Sequence, residues 1–490
     1  MKYSTPEKMG LRSAYIQEYI EKLEDLKLIT HNIIIARHGE IIYENYRKPF
    51  HKDFLHRMYS VTKSFVSLAI GFLEQDGLLD LDAPVLKYFS DELINQKDEN
   101  MRNQTIRHML MMSTAKGERS WFAAKCKDRV RFYFENDLEW TRPSGTVWTY
   151  DSTGSFVLGA LVERITKMPL LEYLRKKCLD KIGFSKEAYM LKCPGGHSWG
   201  DSALLCTAQD LLKTAIFCMN GGKWDGEQLL NEEYIKKATS KQIDNSEFGG
   251  NFKTYGYGYQ FWRTYNDSYL FNGMGDQLAV CVPHKDMILI YNGDNQGNTT
   301  SRETIIRSFF DMIIANTEDV PVKESKEDVE NLDLFSKSLK LFSVSGEKYK
   351  KIQDEINNVT YIMDKNPMGI KKMKISFKDD GGILFYTNEQ GDKQLSFKMC
   401  ENSFQSFPQS GYSDDVGTQP GNRLYDCAVS AAWVSDFQLF IKVQIIDTYF
   451  GILNISLGFD NGKIGVNMSK AAEDFLSEYA GYASGKKQSR

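Results

Sequence analysis

Met58-Tyr59-Ser60-Val61-Thr62-Lys63-Ser64-Phe65 leads into an apolar run, Ser60 to Leu73, whose reading decides the fold. The run predicts a buried helix. Ser60 and Lys63 stand three residues apart, about one helical turn, so their side chains share a face. The serine falls in the first turn, where free N–H groups and the positive end of the helix dipole gather. A hydroxyl there can become a nucleophile, and a lysine there can be asked to give up its proton. Spacing alone says little, because Ser345 and Lys348 repeat it at a strand or turn entry. Ser484 and Lys487 repeat it again at the entry to a tail, 485–490, expected to be disordered. Only Ser60 heads a buried apolar helix.

The pattern around this helix alternates period. Ser13 to Lys27 spaces Tyr15, Ile16, Tyr19, Ile20 and Leu23 as a helix. Asn32–Arg37 and Glu40–Tyr46 flank His38-Gly39 as a β-hairpin. Residues 85 to 240 read as mainly helical, with helices over Thr105–Met112 and Thr153–Thr166 and a capping box at Thr207-Ala208-Gln209-Asp210. Strand period returns at Tyr257–Arg263, Gln277–Val282 and Met287–Tyr291, before a closing helix over Ser301–Ala315. Strands from both ends with helices between predict an α+β (α/β) domain, an antiparallel sheet flanked by helices. Asn316 to Glu330 is charged and poor in large apolar side chains, so it reads as a linker. Nearly everything after it is strand, up to a last helix over Ala471–Tyr482. The expected organisation is a domain over 1–318 with a helical subdomain at about 85–240, a linker at 319–330, and an all-β domain over 331–490.

Bulk properties exclude several classes. The chain of 490 residues is 42% hydrophobic and 26% charged, as soluble globular proteins are. A net charge of −4 carries no basic bias and argues against a nucleic-acid partner. Met1 to Lys8 has no apolar core of the signal-peptide kind, and no run of about 18 apolar residues exists to span a membrane. Eight cysteines without CxxC or metal-ligand spacing read as reduced, mostly buried thiols, which places the protein in the cytoplasm. No metal and no cofactor are expected.

Three ordered motifs carry a resemblance. The first is Ser60-Val61-Thr62-Lys63, followed by Gly77-Leu78-Leu79-Asp80-Leu81-Asp82-Ala83-Pro84-Val85. The second is Arg142-Pro143-Ser144-Gly145-Thr146-Val147-Trp148-Thr149-Tyr150-Asp151-Ser152, and the third is Asn272-Gly273-Met274-Gly275-Asp276-Gln277. Gly200-Asp201-Ser202 and Thr207–Leu211 add a fourth segment. Over residues 5 to 315 the chain resembles the serine β-lactamase and penicillin-binding-protein superfamily, and within it the class C-like esterases and 6-aminohexanoate-dimer hydrolases. The resemblance implies a β-lactamase-like fold and a serine hydrolase working through an acyl-enzyme. Ser60 is then the nucleophile, with Lys63 and Tyr150 as the acid–base pair; which of the two is the base stays open. Lys63 can act as a base only when neutral, which needs burial or neighbouring positive charge. Gly273 lets a strand edge approach substrate, and the amides of Met274 and Ser60 form the oxyanion hole. Ser152, Gln277, Trp121 and Trp148 are the further candidates for substrate contact. His108 and His197 lie outside the motifs and read as structural.

Two departures narrow the substrate. The β-lactamases and penicillin-binding proteins carry Lys-Thr-Gly or His-x-Gly at the third motif, whereas this chain has Phe271-Asn272-Gly273. The cation that would hold a β-lactam carboxylate is missing. Ser152 also replaces the usual Asn after the tyrosine. The expected substrate is a small ester or amide. Two alternatives stand beside that reading: a cytoplasmic D-amino-acid peptidase or amidase, and a non-catalytic binding protein on the same fold. The C-terminal region resembles the lipocalin-like barrels that follow some catalytic domains of this family. Two roles are open to it: covering the cleft, or making a homodimer.

Overall fold

The computed structural model describes every residue except 91–93, 95, 118–125, 136–140, 248–254, 411–422, 474 and 490. The described chain forms two compact units that meet in sequence between Lys340 and Leu341.

The first unit is built on a seven-stranded sheet. Its strands are β1 (Lys2–Tyr3), β2 (Thr30–Arg37), β3 (Glu40–Tyr46), β4 (Trp262–Arg263), β5 (Tyr269–Gly273), β6 (Gln277–Val282) and β7 (Met287–Gly293). The spatial order is β1-β3-β2-β7-β6-β5-β4. Every pairing is antiparallel except the short parallel pair β1–β3, a small departure from the all-antiparallel expectation. Strands β2, β5, β6 and β7 are buried at every position. Strands covered on both faces read as continuous apolar runs, and Gln277-Leu-Ala-Val-Cys-Val282 and Met287-Ile-Leu-Ile-Tyr291 do so.

Helix α1 (Ser13–Asp25) buries Ile16, Tyr19, Ile20 and Leu23, one face at helical spacing, against this sheet. Helix α2 (Thr62–Gln75) is buried from Thr62 through Leu73 and packs on α3 (Ser152–Thr166). Helix α4 (Ala208–Met219) lies on β6 and β7, opened by the capping box of Thr207 and Asp210. The closing segment is α-helical over Ser301–Ser308 (α5), then passes through a π turn and a 3-10 turn to Asn316.

Two expectations here need correction. Tyr257–Arg263 is not one strand; only Trp262–Arg263 joins the sheet. Gln260 adopts φ +64, which breaks the extended path, and its side-chain amide donates to the carbonyls of Met109 and Leu110 at 3.0 Å each. The stretch read as a linker also ends in structure. Helix α6 (Lys326–Ser338) starts inside it, capped by Ser325, packs on α1, and places the division between units at 340. The cap and a row of acidic residues in the first turn favour that helix despite its polar composition.

The second unit is a closed barrel of nine strands. These are β8 (Thr360–Met363), β9 (Lys372–Lys378), β10 (Gly381–Asn388), β11 (Gly391–Met399), β12 (Asp426–Trp433), β13 (Gln438–Ile446), β14 (Phe450–Asp460), β15 (Lys463–Ala471) and β16 (Gly481–Lys487). Closure comes from a parallel pairing of β11 with β12, Lys398 to Ser430 and Met399 to Ala431. Alternate residues point inward, as Leu439, Ile441, Val443 and Ile445 do on β13. The expected helix over Ala471–Tyr482 and the expected disordered tail are both replaced. Leu476 takes φ +60, which a helix cannot contain, and β16 pairs with both β15 and β8.

Candidate active site

Ser60 lies in a 3-10 turn, Tyr59–Val61, directly before α2, which starts two residues after the serine rather than at it. The residue ahead of it is held in an unusual conformation: Tyr59 has φ +46 and is 1% exposed. A left-handed tyrosine costs about 1–2 kcal/mol, so the surrounding packing imposes it. The effect is a sharp corner with Ser60 half-buried at its tip.

Lys63 follows on the first turn of α2, and its Nζ lies 3.0 Å from Ser60 Oγ. The lysine is 2% exposed, and Nζ also donates to the carbonyl of Asp201 at 2.7 Å. The same Nζ sits 5.1 Å from the ring centroid of Tyr150. Residues from the first two motifs therefore meet at one point, although 87 residues of sequence separate Lys63 from Tyr150.

Tyr150 is held from two sides. Asp151 caps α3, accepting from Gly154 N at 2.9 Å and Thr153 Oγ1 at 2.7 Å, while its other oxygen accepts from Thr114 Oγ1 at 2.8 Å. This fixes the backbone next to the phenol. On the other side the Tyr150 ring stacks on Trp262, centroids 5.9 Å apart and planes at 27°. Trp148 packs against Tyr150, Trp262 and Tyr257 and is 8% exposed. Its indole thus packs as a wall behind Tyr150. Ser152 is the first residue of α3, half-buried. Trp121 lies outside the described residues.

The third motif forms the hairpin turn between β5 and β6, where Gly273 pairs with Gln277. A Cβ on Gly273 would stand 2.4 Å from the carbonyl oxygen of Met58, so only glycine lets this strand end come against the corner carrying Ser60. Gly275 (φ +74) and Asp276 (φ +69) make the turn, with Met274 half-buried at its start. Gln277 points into the interior. It is fully buried, its amide donates to the carbonyls of Met274 (2.9 Å) and Gly293 (2.7 Å), and its oxygen accepts from Asn292 (3.1 Å). It braces the turn. Burial pushes the Asp276 carboxyl up, against the opposing pull of Ser301, Arg302 and Asn295.

Phe271 is fully buried and packs edge-on against Phe261 at 4.9 Å, so an aromatic ring fills the position where the resemblance would place a cation. His108 completes a capping box with Thr105 and bonds Ser144 at 2.9 Å, and His197 bonds Glu163 at 2.8 Å. All eight cysteines are free, six of them buried. Among the described residues no cluster of His, Cys, Asp or Glu could hold a metal, and no helix is long and apolar enough to cross a membrane.

Sequence reading missed three contributors: the carbonyl of Asp201, the strained backbone of Tyr59 and the cap at Asp151. The first two are backbone properties that no side-chain letter announces. The third had a signal, an Asp just before the helical period of α3.

The model of the Beta-lactamase family matches residues 16–306, more than half of the chain. A 6-aminohexanoate-dimer hydrolase of Paenarthrobacter ureafaciens is 22% identical over 281 residues, covering 53% of this chain and 71% of that protein. Esterase EstB of Burkholderia gladioli is 32% identical over 176 residues, 31% of this chain and 44% of the relative. A solved penicillin-binding protein homologue from Caulobacter crescentus superposes with a TM-score of 0.52 at 16% identity, over 62% of this chain and 98% of that one, a likeness of fold.

Proposed function

The chain belongs to the Beta-lactamase family, and from that premise we propose that it is a serine hydrolase acting on a small ester or amide through a Ser60 acyl-enzyme. The observation that carries this reading is Lys63 Nζ, buried and 3.0 Å from Ser60 Oγ. Ser60 Oγ attacks the substrate carbonyl while its proton passes to the Lys63–Tyr150 pair. The amides of Ser60 and Met274 receive the oxyanion, a contribution of about 3 kcal/mol per donor. Collapse expels the alcohol or amine with the proton returned by the same pair. Water then takes the serine's place and releases the acid. The close approach of Gly273 to Met58 supports the oxyanion assignment, since it brings the Met274 turn to the serine corner.

Phe271 at the third motif favours substrates without a carboxylate beside the scissile bond. The relatives named above, a dimer hydrolase and an esterase, suit an ester or amide substrate better than a β-lactam. Free, mostly buried thiols suit a reducing compartment such as the cytoplasm. A fluorophosphonate probe tests the nucleophile: an adduct at Ser60 is expected, and a folded protein that stays unlabelled overturns the reading. A panel of p-nitrophenyl esters against D-peptide amides separates esterase from peptidase, with faster turnover of the esters expected.

A further inference from the structure

Arg57 ends the short strand His56–Arg57 that leads into the serine corner, and it is 0% exposed. A guanidinium is expensive to take out of water unless its surroundings replace that water. Here two aromatic faces and the Ser202 carbonyl surround it. Its Cζ lies 4.4 Å from the ring centroid of Tyr59 and 4.7 Å from that of Trp199. Its Nε donates to the carbonyl of Ser202 at 3.2 Å, and Nη2 lies 3.4 Å from Ser202 Oγ.

Trp199 and Ser202 are the two ends of a turn closed by Ser202 N donating to the Trp199 carbonyl at 3.3 Å. Asp201 sits inside that turn, and its carbonyl accepts from Lys63 Nζ at 2.7 Å. Arg57 therefore holds both ends of the segment that anchors the lysine. Through Tyr59 it also holds the left-handed residue that presents Ser60. One side chain ties the nucleophile's backbone to the lysine's anchor.

We propose that Arg57 is a positioning residue for acylation, setting the Asp201 carbonyl and the Tyr59 corner so that Lys63 Nζ meets Ser60 Oγ. This rests on the reading of Ser60 and Lys63 given above. Arg57 touches no reacting atom. Its effect is on kcat, because misplacing a base by a fraction of an ångström slows chemistry without changing how substrate is held. Lysine is no replacement: it lacks both the planar face that stacks and the fork that reaches Ser202.

The test uses the full chain with p-nitrophenyl acetate and a fluorophosphonate probe, on wild type, Arg57→Ala and Arg57→Lys, with circular dichroism for the folded fraction. Expected for Arg57→Ala is a kcat lower by about 100-fold, with KM within about threefold of wild type. Guanidinium ion at tens of millimolar should return about tenfold of that loss by entering the vacated site. Arg57→Lys should fold and stay slow. An Arg57→Ala protein with wild-type kcat overturns the proposal. So does a loss that merely tracks the folded fraction and ignores guanidinium. Should Arg57→Ala not fold, Arg57→Lys decides by the same kcat and KM criteria; if neither folds, the arginine is a folding residue and the proposal fails. An unlabelled wild type overturns the Ser60 reading and takes this proposal with it, whereas a labelled wild type beside an unimpaired Arg57→Ala overturns this proposal alone.

Discussion

Ser60 and Lys63 in the first unit, and Ser484 and Lys487 in the barrel, are the same two residue types at the same spacing. In the first pair the chain turns through 3-10 and α-helical conformation, and Nζ reaches Oγ at 3.0 Å. In the second pair the chain is the extended strand β16, where three residues span about 10 Å and successive side chains alternate faces. Ser484 there bonds Asp364 at 2.8 Å, and both residues are exposed. A spacing becomes chemistry only when the backbone folds it into contact and the surroundings remove water. The barrel pair has neither.

The largest contrast should come from serine replacement. Ser60→Ala should lose about 10⁴-fold or more in kcat and all fluorophosphonate labelling, while Ser484→Ala keeps both. Lys63→Met should cost about 10²–10⁴-fold in kcat, and Lys487→Met nothing measurable in the same ester assay. Retained turnover in Lys63→Met would move the base role to Tyr150.

Glycine replacements probe the two backbones next. Gly273→Ala drives a methyl against the Met58 carbonyl, only 2.4 Å away, and should lower kcat by about 10²-fold through displacement of the Met274 turn. Gly485→Ala on β16 meets Met363 Sδ at 2.6 Å and should cost about 1–3 kcal/mol of barrel stability with kcat per folded molecule unchanged. Chemical denaturation followed beside the ester assay distinguishes the two outcomes.

The smallest effect expected is a difference in acid sensitivity. His56, on the strand entering the serine corner, is buried and bonded to His31 at 2.8 Å, and burial lowers its pKa to about 3. Between that value and the ordinary value near 6.5 the unfolded chain binds a proton that the folded chain refuses. Stability is therefore complete above about pH 6.5 and falls below it, by up to about 1.4 kcal/mol per pH unit for one such group. Residues 341–490 contain no histidine. Melting curves at pH 7 and 5.5 should show the first unit weakened and the barrel not weakened by this cause. His56→Gln should reduce the difference, leaving the share of His31, whose pKa burial also lowers.

The same contrast shows how much was legible in the sequence. Helical and strand periods located α1, α2, α3, β2, β3, β6 and β7, because each buries a face whose pattern local chain geometry repeats. Ser60, Lys63 and the third-motif glycines stood out by type and order. The end of the barrel did not. Phe475, Leu476 and Tyr479 are apolar at helical spacing and buried, yet Leu476 is left-handed and the chain then extends into β16. One of that strand's two partners is β8, more than 100 residues earlier. A window of sequence cannot see such a partner. Gln277 and Trp148 were legible as important by residue type and order, whereas their burial, and the hydrogen bonds by which Gln277 braces its turn, came only with the fold.

By itself the sequence determined which segments could bury an apolar face and which polar residues sat where burial is costly, since both follow from residue type and spacing. Tertiary structure alone decided the distances that matter. The Asp201 carbonyl at Lys63, the Met58 carbonyl that forbids a side chain at Gly273, and the buried Arg57 stacked on Tyr59 and Trp199 all join segments far apart in the chain. Two of these involve backbone carbonyls, which every residue carries, so only the folded path singles them out.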